Sequence, residues 1–390
     1  MYLPAARLLP PGLLLRALVS SALVSLAVLL AACSDAEPFE PVPTTTAPTE
    51  TPEPTAPPAA TVTPIATPTA ERGAHELEVE RPGETAWGIA GLVPANFPES
   101  TEGDWRRFYE LLPGLGGWVG TFASWTPANG MPEIMRSQAQ VGQRFGFRTI
   151  PTVGFGHQEV GRYELAFDFN DPEEVALYQE AVVALARDLR PPFMGLGNEL
   201  NLLWEEDPEA FDAMAAALPE IADAIREASP GTRVFTTFQL EFLRGGGQIS
   251  GVAREPRWDL VDQVQPALDI VAFTTYPWFD FETPETIPAD YYEAVAGRVD
   301  GPVAFSEIGW PGAPLTGAPE SGFGGSPEQQ SDFVERLGDL FNGVEPVWAL
   351  WVFAHDSEVA GDLFDVLGLY EQDGEARPAV ESWRRLVDEK

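Results

Sequence analysis

From about residue 84 onward, short apolar runs rich in β-branched and aromatic residues alternate with longer stretches whose apolar positions recur every three or four residues. The first pattern is that of a buried strand, and the second is that of an amphipathic helix. The runs predict eight strands, at Ala86–Leu92, Gly117–Trp125, Arg148–Gly154, Phe193–Gly197, Arg233–Gln239, Ile270–Tyr276, Val303–Glu307 and Trp348–Phe353. Helices are predicted between and after them at Asp104–Leu112, Pro132–Phe145, Pro172–Leu189, Pro208–Ala228, Trp258–Val264, Asp290–Val299, Pro327–Phe341 and Ala379–Val387. Several open on a Pro that follows Asp or Ser, as in Asp171-Pro172, Asp207-Pro208 and Ser326-Pro327, which suits the first helical position. Eight strand and helix units over about 300 residues predict an α/β fold, a (β/α)8 TIM barrel, as a single catalytic domain. The competing architecture, a doubly wound open sheet, would carry a Gly-rich turn after its first strand. No G-x-G-x-x-G or Walker pattern stands there.

The chain before residue 84 reads differently. Arg7 and Arg16 precede an apolar run from Ala17 to Ala32 that ends in Leu30-Ala31-Ala32-Cys33. A charged start, a short hydrophobic stretch and small residues before a cut form the grammar of a secretory signal. The run is shorter than the ~20 residues a spanning helix needs. Small residues directly before a lone Cys resemble a bacterial lipoprotein signal, in which Cys33 is lipidated and becomes the new N-terminus. An uncleaved N-terminal anchor is the alternative, and either one places the rest of the protein outside the cytoplasm, tethered to a membrane. Of residues 41–70, 19 are Pro or Thr, a composition that favours an extended, semi-rigid spacer reaching roughly 90 Å at about 3.1 Å per residue. The expected domains are a signal over 1–33, a Pro/Thr-rich linker over 34–83 and the barrel over 84–390.

Charge and composition narrow the chemistry. Of the 390 residues 60 are acidic and 23 are Lys or Arg, for a formal net charge of -37, so nucleic acid and anionic membrane surfaces are poor partners. Lys390 is the one lysine, which removes Schiff-base chemistry from the interior. Cys33 is the one cysteine, which removes a disulfide framework, a Cys-rich zinc site and a catalytic Cys together. No cofactor, no metal and no protein partner is predicted.

In a barrel the active site is lined by residues at the C-terminal ends of the strands. Those ends offer Trp125, His157, Asn198, Glu199, Gln239, Glu241, Tyr276, Trp278, Glu307, Trp310, Trp351, His355 and Asp356. Glu199 ends the fourth strand and Glu307 the seventh, across the barrel mouth from each other. Two carboxylates flanking a bond are what glycoside hydrolysis uses, one protonated as acid and base, the other ionised as nucleophile. A hydrogen bond from Tyr276 is expected to favour the ionised form of Glu307, and burial among aromatic rings to keep Glu199 protonated. An ion pair with an Arg is the bland reading of either Glu taken alone.

Asn198-Glu199 and Ser306-Glu307-Ile308-Gly309-Trp310-Pro311 together resemble the retaining glycoside hydrolases of the large (β/α)8 clan with catalytic Glu on strands four and seven. The second motif is similar to the nucleophile motif of endo-β-1,3-glucanases and β-1,4-galactanases within that clan. The resemblance covers roughly residues 84–390. It implies that Asn198 binds the sugar 2-hydroxyl, Glu199 is the acid/base and Glu307 the nucleophile. It also implies that Tyr276, in Thr275-Tyr276-Pro277-Trp278, bonds the nucleophile and that Trp351 forms the floor under the sugar at the cleavage point. The clan's Arg near the nucleophile has no counterpart at the end of strand two or three, where His157 is the polar residue.

Trp125, Trp204, Trp278, Phe279, Trp310 and Trp351 are further expected to offer flat faces to the apolar side of a pyranose, with Gln239 and Asp356 bonding its hydroxyls. Trp348, a step away from the strand end, is expected to pack the barrel. A metal-dependent hydrolase would want a His cluster, and apart from His75 the chain has only His157 and His355. A serine hydrolase would want a G-x-S-x-G elbow, which is absent. The expected partner is therefore a neutral β-linked carbohydrate, with the membrane reached through Cys33. The alternative of another class is a surface lipoprotein that binds carbohydrate without cutting it.

Overall fold

The apolar runs become strands because in a closed parallel barrel each strand loses water on both faces. A computed structural model describes residues 84–159, 162–246, 254–315, 325–360 and 364–389, the side chains of 157–159 and 162 excepted. The signal with Cys33 and the Pro/Thr-rich linker lie outside the described residues. The strands are β1 (Ala86–Gly91), β2 (Trp118–Ser124), β3 (Arg148–Gly154), β4 (Gly156–Glu159), β5 (Arg162–Leu165), β6 (Phe193–Leu196), β7 (Arg233–Gln239), β8 (Ile270–Thr275), β9 (Val303–Ile308) and β10 (Trp348–Phe353). Eight of them close a parallel barrel in the order β1-β10-β9-β8-β7-β6-β3-β2. The expected (β/α)8 barrel is the fold. β6 and β9 are therefore the fourth and seventh barrel strands.

Alternation along each strand divides the core in two. Trp118, Ile150, Phe193, Phe235, Ile270, Trp348 and Leu350 fill the barrel interior, with Ala86, Ala272 and Ala304 leaving room for the large rings. Trp348 packs on Phe193 and on Phe235 with ring centroids 4.7 Å apart in each case, the packing role expected of it. The opposite residues of the same strands meet the surrounding helices in a second, larger core.

The expected first-position prolines begin their helices, capped by the preceding side chain. Asp171 accepts from the Glu173 amide, Asp207 from those of Glu209 and Ala210, and Ser326 from that of Gln329. Three features depart from the reading of the sequence. The helix expected over 290–299 shortens to Glu293–Ala296, one turn bracketed by Pro288 and Gly297. A helix that was not expected, Leu200–Glu206, starts directly after Glu199. The antiparallel hairpin β4–β5 is inserted after β3 and is not a barrel strand pair.

Candidate active site

Period-two alternation alone would turn Glu307 away from the barrel interior. Ala304 faces the interior and Phe305 faces outward, against the rings of Tyr292 and Phe341 at 4.6 and 5.1 Å, so the residue at 307 should also face outward. The pairing of β9 changes phase in between. Phe305 pairs with Phe273 while Glu307 pairs with Thr274, and on the other side Phe305 pairs with Ala349 while Ile308 pairs with Trp351. Both neighbours advance one residue fewer than β9 does, which marks a bulge with Ser306 as the extra residue. A bulge re-aims the side chains beyond it. Ser306 accepts a hydrogen bond from the Nε1 of interior Trp348 at 3.2 Å, and Glu307, half-buried, turns to the barrel mouth.

Glu199 is aimed by a different device. Gly197 has φ +74°, where Phe155 and Leu200 leave no room for a Cβ, and Glu199 itself sits in the left-handed region with φ 48° and ψ 56°. That conformation is unfavourable for a Glu and persists only where surrounding contacts over-determine it. Those contacts come from the next two strands. The Thr237 hydroxyl accepts from the Glu199 amide at 2.7 Å and donates to Asn198 Oδ1 at 2.7 Å. The Thr274 hydroxyl donates to Glu199 Oε1 at 2.6 Å. Tyr276 O–H donates to Glu307 Oε2. Its ring lies where a Cβ on Gly309 would stand, which accounts for the glycine two residues beyond the glutamate. Thr274 and Tyr276 thus deliver one hydroxyl each to the two glutamates.

The electrostatics follow from this crowding. Burial, reinforced by the nearby charge of Glu199, pushes Glu307 up to about 8, and the hydrogen bond from Tyr276 opposes that push. The Tyr276 bond favours ionised Glu307 in the expected direction, but burial and the second carboxylate outweigh it in the unliganded site. The charge of Glu199 acts on Glu307, so the raised value belongs to a pair of interacting acids. Burial and the Glu307 charge hold the Tyr276 phenol well above its usual range, so it stays protonated and remains a donor.

One contributor was not foreseen. Tyr163, on β5 of the inserted hairpin, is buried, and burial holds its phenol above the usual range while the backbones of Asn198 and Phe155 act against that and the charge of Glu199 adds to it. The hairpin therefore braces the Asn198-Glu199 segment from outside the barrel. Thr237 and Thr274 also escaped the sequence reading, although Thr236-Thr237 and Thr274-Thr275 are paired Thr near the ends of two otherwise apolar strands. His157 lies on β4 of the same hairpin, and its side chain falls outside the described residues.

Most of the remaining residues expected to contact sugar are buried. Trp125 is 3% exposed, held edge-on by Phe167 and Tyr178 at 5.2 and 5.5 Å. Trp310 is fully buried with Phe333 at 5.2 Å. Trp351 is fully buried as well, and it faces the helices because interior Trp348 and Leu350 fix the opposite parity for it. Its Nε1 donates to Leu367 O at 2.8 Å and its ring meets Trp383 at 5.8 Å. Trp278 is packed on Phe279 at 4.2 Å and on Phe364 at 6.2 Å. Gln239 is consumed as a helix cap, accepting from the Phe242 amide and donating to Glu241 Oε2 at 2.7 Å. Asp356 is paired with buried Arg377. His355 is buried with Nδ1 3.0 Å from Val93 O, and burial pulls it below its usual value. Trp204 is half-buried, with the Arg257 guanidinium 3.4 Å from its ring centroid.

The chain matches no protein-family model and no curated protein sequence. Solved structures share its fold. A GH5_18 protein from Streptomyces cattleya, in complex with GlcNAc, is similar with TM-score 0.56 and 17% identity over 78% of this chain and 80% of that one. A GH5_18 protein from Bifidobacterium longum subsp. infantis is similar with TM-score 0.53 and 14% identity over 78% and 79%. A family 39 glycoside hydrolase from the gut symbiont Bacteroides cellulosilyticus WH2 is similar with TM-score 0.51 and 15% identity over 77% of this chain, which spans only 62% of that protein. The structural neighbours are thus glycoside hydrolases built on an eight-stranded parallel barrel, and at these identities the likeness is one of fold.

Proposed function

We propose that this protein is a retaining glycoside hydrolase that cleaves β-linked neutral glycans and acts from a lipid anchor at Cys33, outside the cytoplasm. The observation that carries the reading is the pair Glu199 and Glu307, each aimed into the barrel mouth by a backbone irregularity and each held by a hydroxyl from the end of β8. One proton shared by two such carboxyls is the starting state that double displacement needs. Glu307 attacks the anomeric carbon as carboxylate, favoured there by the Tyr276 hydrogen bond and by the positive charge growing on the sugar. Glu199 gives its proton to the departing glycosidic oxygen. It then takes a proton from water, whose oxygen displaces Glu307 from the anomeric carbon. Asn198, its Oδ1 anchored by Thr237, is the candidate partner of the sugar 2-hydroxyl. The net charge of -37 favours a neutral glycan over an acidic one.

The rival reading, a lipoprotein that only binds carbohydrate, relies on aromatic faces open to sugar. The burial of Trp125, Trp310 and Trp351 withdraws that support. The test is the detergent-solubilised full chain, incubated with a panel of neutral β-linked glycans that includes GlcNAc-bearing ones and assayed for new reducing ends. Cleavage is expected from the wild type and absent from Glu307→Ala, with azide restoring turnover to the variant. Full activity in Glu307→Ala would refute the assignment, and binding of a glycan without cleavage by the wild type would favour the rival.

A further inference from the structure

A third carboxylate lies behind the pair, and the mechanism above does not use it. Glu241 follows β7 within the single helical turn Leu240–Leu243 and is fully buried. No cation forms an ion pair with it among the described residues. Four donors converge on its two oxygens instead. Thr275 Oγ1 and Tyr291 O–H each donate to Oε1 at 2.8 Å, while Gln239 Nε2 donates to Oε2 at 2.7 Å and the Tyr276 amide at 2.9 Å. An isolated buried carboxylate is expensive, and one that accepts at every lone-pair position is retained by its hydrogen bonds. Gln239 Nε2 and the Tyr276 amide can only donate, so Oε2 serves them purely as an acceptor. The network joins β7, β8 and the segment carrying Tyr291 around one point, the peptide between Thr275 and Tyr276. That peptide aims the phenol that bonds Glu307.

We propose that Glu241 is a positioning residue of this site: it fixes the backbone of Tyr276 and thereby holds the Tyr276 hydroxyl on Glu307. The proposal rests on the glycosidase reading for its kinetic consequences, but the geometric link does not depend on turnover. The titratable and charged groups that face Glu241 are Tyr276, Tyr291 and Tyr292 together with Asp280 and Arg244. Asp280 adds to the effect of burial on Glu241, and Arg244 stacks on the Tyr291 ring at 4.1 Å. Burial, Glu199 and Tyr276 set the ionisation of Glu307, and Glu241 is not among those causes. Neutralising Glu241 therefore reaches Glu307 through Tyr276, and a loosened hydrogen bond moves the Glu307 ionisation to higher pH.

The experiment compares Glu241→Gln, Tyr276→Phe and the double variant in the full chain, with two readouts. The first is the pH profile of kcat. Glu241→Gln is expected to lower kcat by ~10–100-fold, as loss of a supporting outer partner does, with KM within about twofold and the acid limb moved upward. The second is carboxyl 13C NMR titration of Glu307, identified by its loss in Glu307→Ala, which needs no substrate. Both the upward shift and the kcat loss are expected to vanish when Glu241→Gln is added to Tyr276→Phe, because the phenol through which Glu241 acts is already gone. A shift that persists in the Tyr276→Phe background would overturn the proposal, as would an unmoved titration accompanied only by a lower Tm. Tyr291→Phe, which removes one donor and keeps the carboxylate, carries the same cycle if Glu241→Gln does not fold. An inactive wild type would refute the glycosidase reading and leave the NMR cycle to decide on Glu241.

Discussion

Thr274 and Tyr276 lie two residues apart at the end of β8, and each hands a hydroxyl hydrogen bond to a different glutamate of the pair. Residues i and i+2 of a strand share a face. One strand end therefore gathers carboxylates that arrive from the strand two places before it in the barrel and from the strand after it.

Removal of the Tyr276 hydroxyl tests one half of that relationship. The phenol opposes the rise in Glu307, so Tyr276→Phe is expected to push the Glu307 ionisation further up and shift the acid limb of the kcat profile to higher pH. A hydrogen bond to a charged group contributes about 1.5–3 kcal/mol, which corresponds to a fall in kcat of ~10–100-fold. An unchanged acid limb would show that the phenol does not bond the ionised form.

The raised value of Glu307 makes a statement about stability. Its folded value, about 8, lies above the ordinary 4.5, so the native state holds a proton that the unfolded chain releases. Stability is expected to fall as pH rises from about 4.5 to about 8 on account of this group. Glu307→Gln removes the effect and is expected to stabilise the protein above pH ~8 by about 1–3 kcal/mol, allowing for screening at a half-buried site, with little change below pH ~4.5. Urea unfolding at both pH values reads the difference, and an equal change at both would contradict it.

The bulge in β9 can be removed directly. Deleting Ser306 removes the extra residue and sets Glu307 directly after outward-facing Phe305, so strict alternation then points Glu307 into the barrel and keeps its pairing with Thr274. Activity is expected to survive the deletion, with a destabilisation of about 1–3 kcal/mol from rebuilding the strand end. Ser306→Ala loses only the bond from Trp348 Nε1 and should stay within about 1 kcal/mol of the wild type with activity kept. Loss of all activity in the deletion, with Ser306→Ala active, would mean that Ser306 is not the extra residue that sets the facing of Glu307.

Trp351 separates packing from sugar contact. Its ring meets Phe333 at 6.2 Å and Trp383 at 5.8 Å on the helix side of β10. Trp351→Phe is therefore expected to lower stability by about 1–2 kcal/mol while KM for the glycan stays within about twofold. A KM raised severalfold at unchanged stability would return the ring to the sugar site.

Cys33 lies before the described residues, so its test is chemical. Fatty-acid label is expected in the wild type and absent from Cys33→Ser, and label retained by the variant would refute lipidation at that residue.

The eight strands were legible in the chain because each is a short apolar run between polar turns, and Arg148–Gly154, Arg233–Gln239 and Trp348–Phe353 fall where the pattern ends them. The two glutamates were legible for a related reason, since a carboxylate that closes an apolar strand has few places to go except a barrel rim. The facing of side chains was not legible. Strands buried on both faces carry no polar alternation to show which parity points inward, so Trp351 and Trp310 read as rim residues and are core residues. A one-residue bulge at Ser306 leaves no mark in hydrophobicity, yet it reverses the facing of everything after it. Thr237, Thr274 and Tyr163 could not be assigned from local sequence, because their partners lie 38 and 75 residues away for the two threonines and across an inserted hairpin for the tyrosine. Local composition thus determined where the elements run, and only closure of the barrel decided which of their side chains meet.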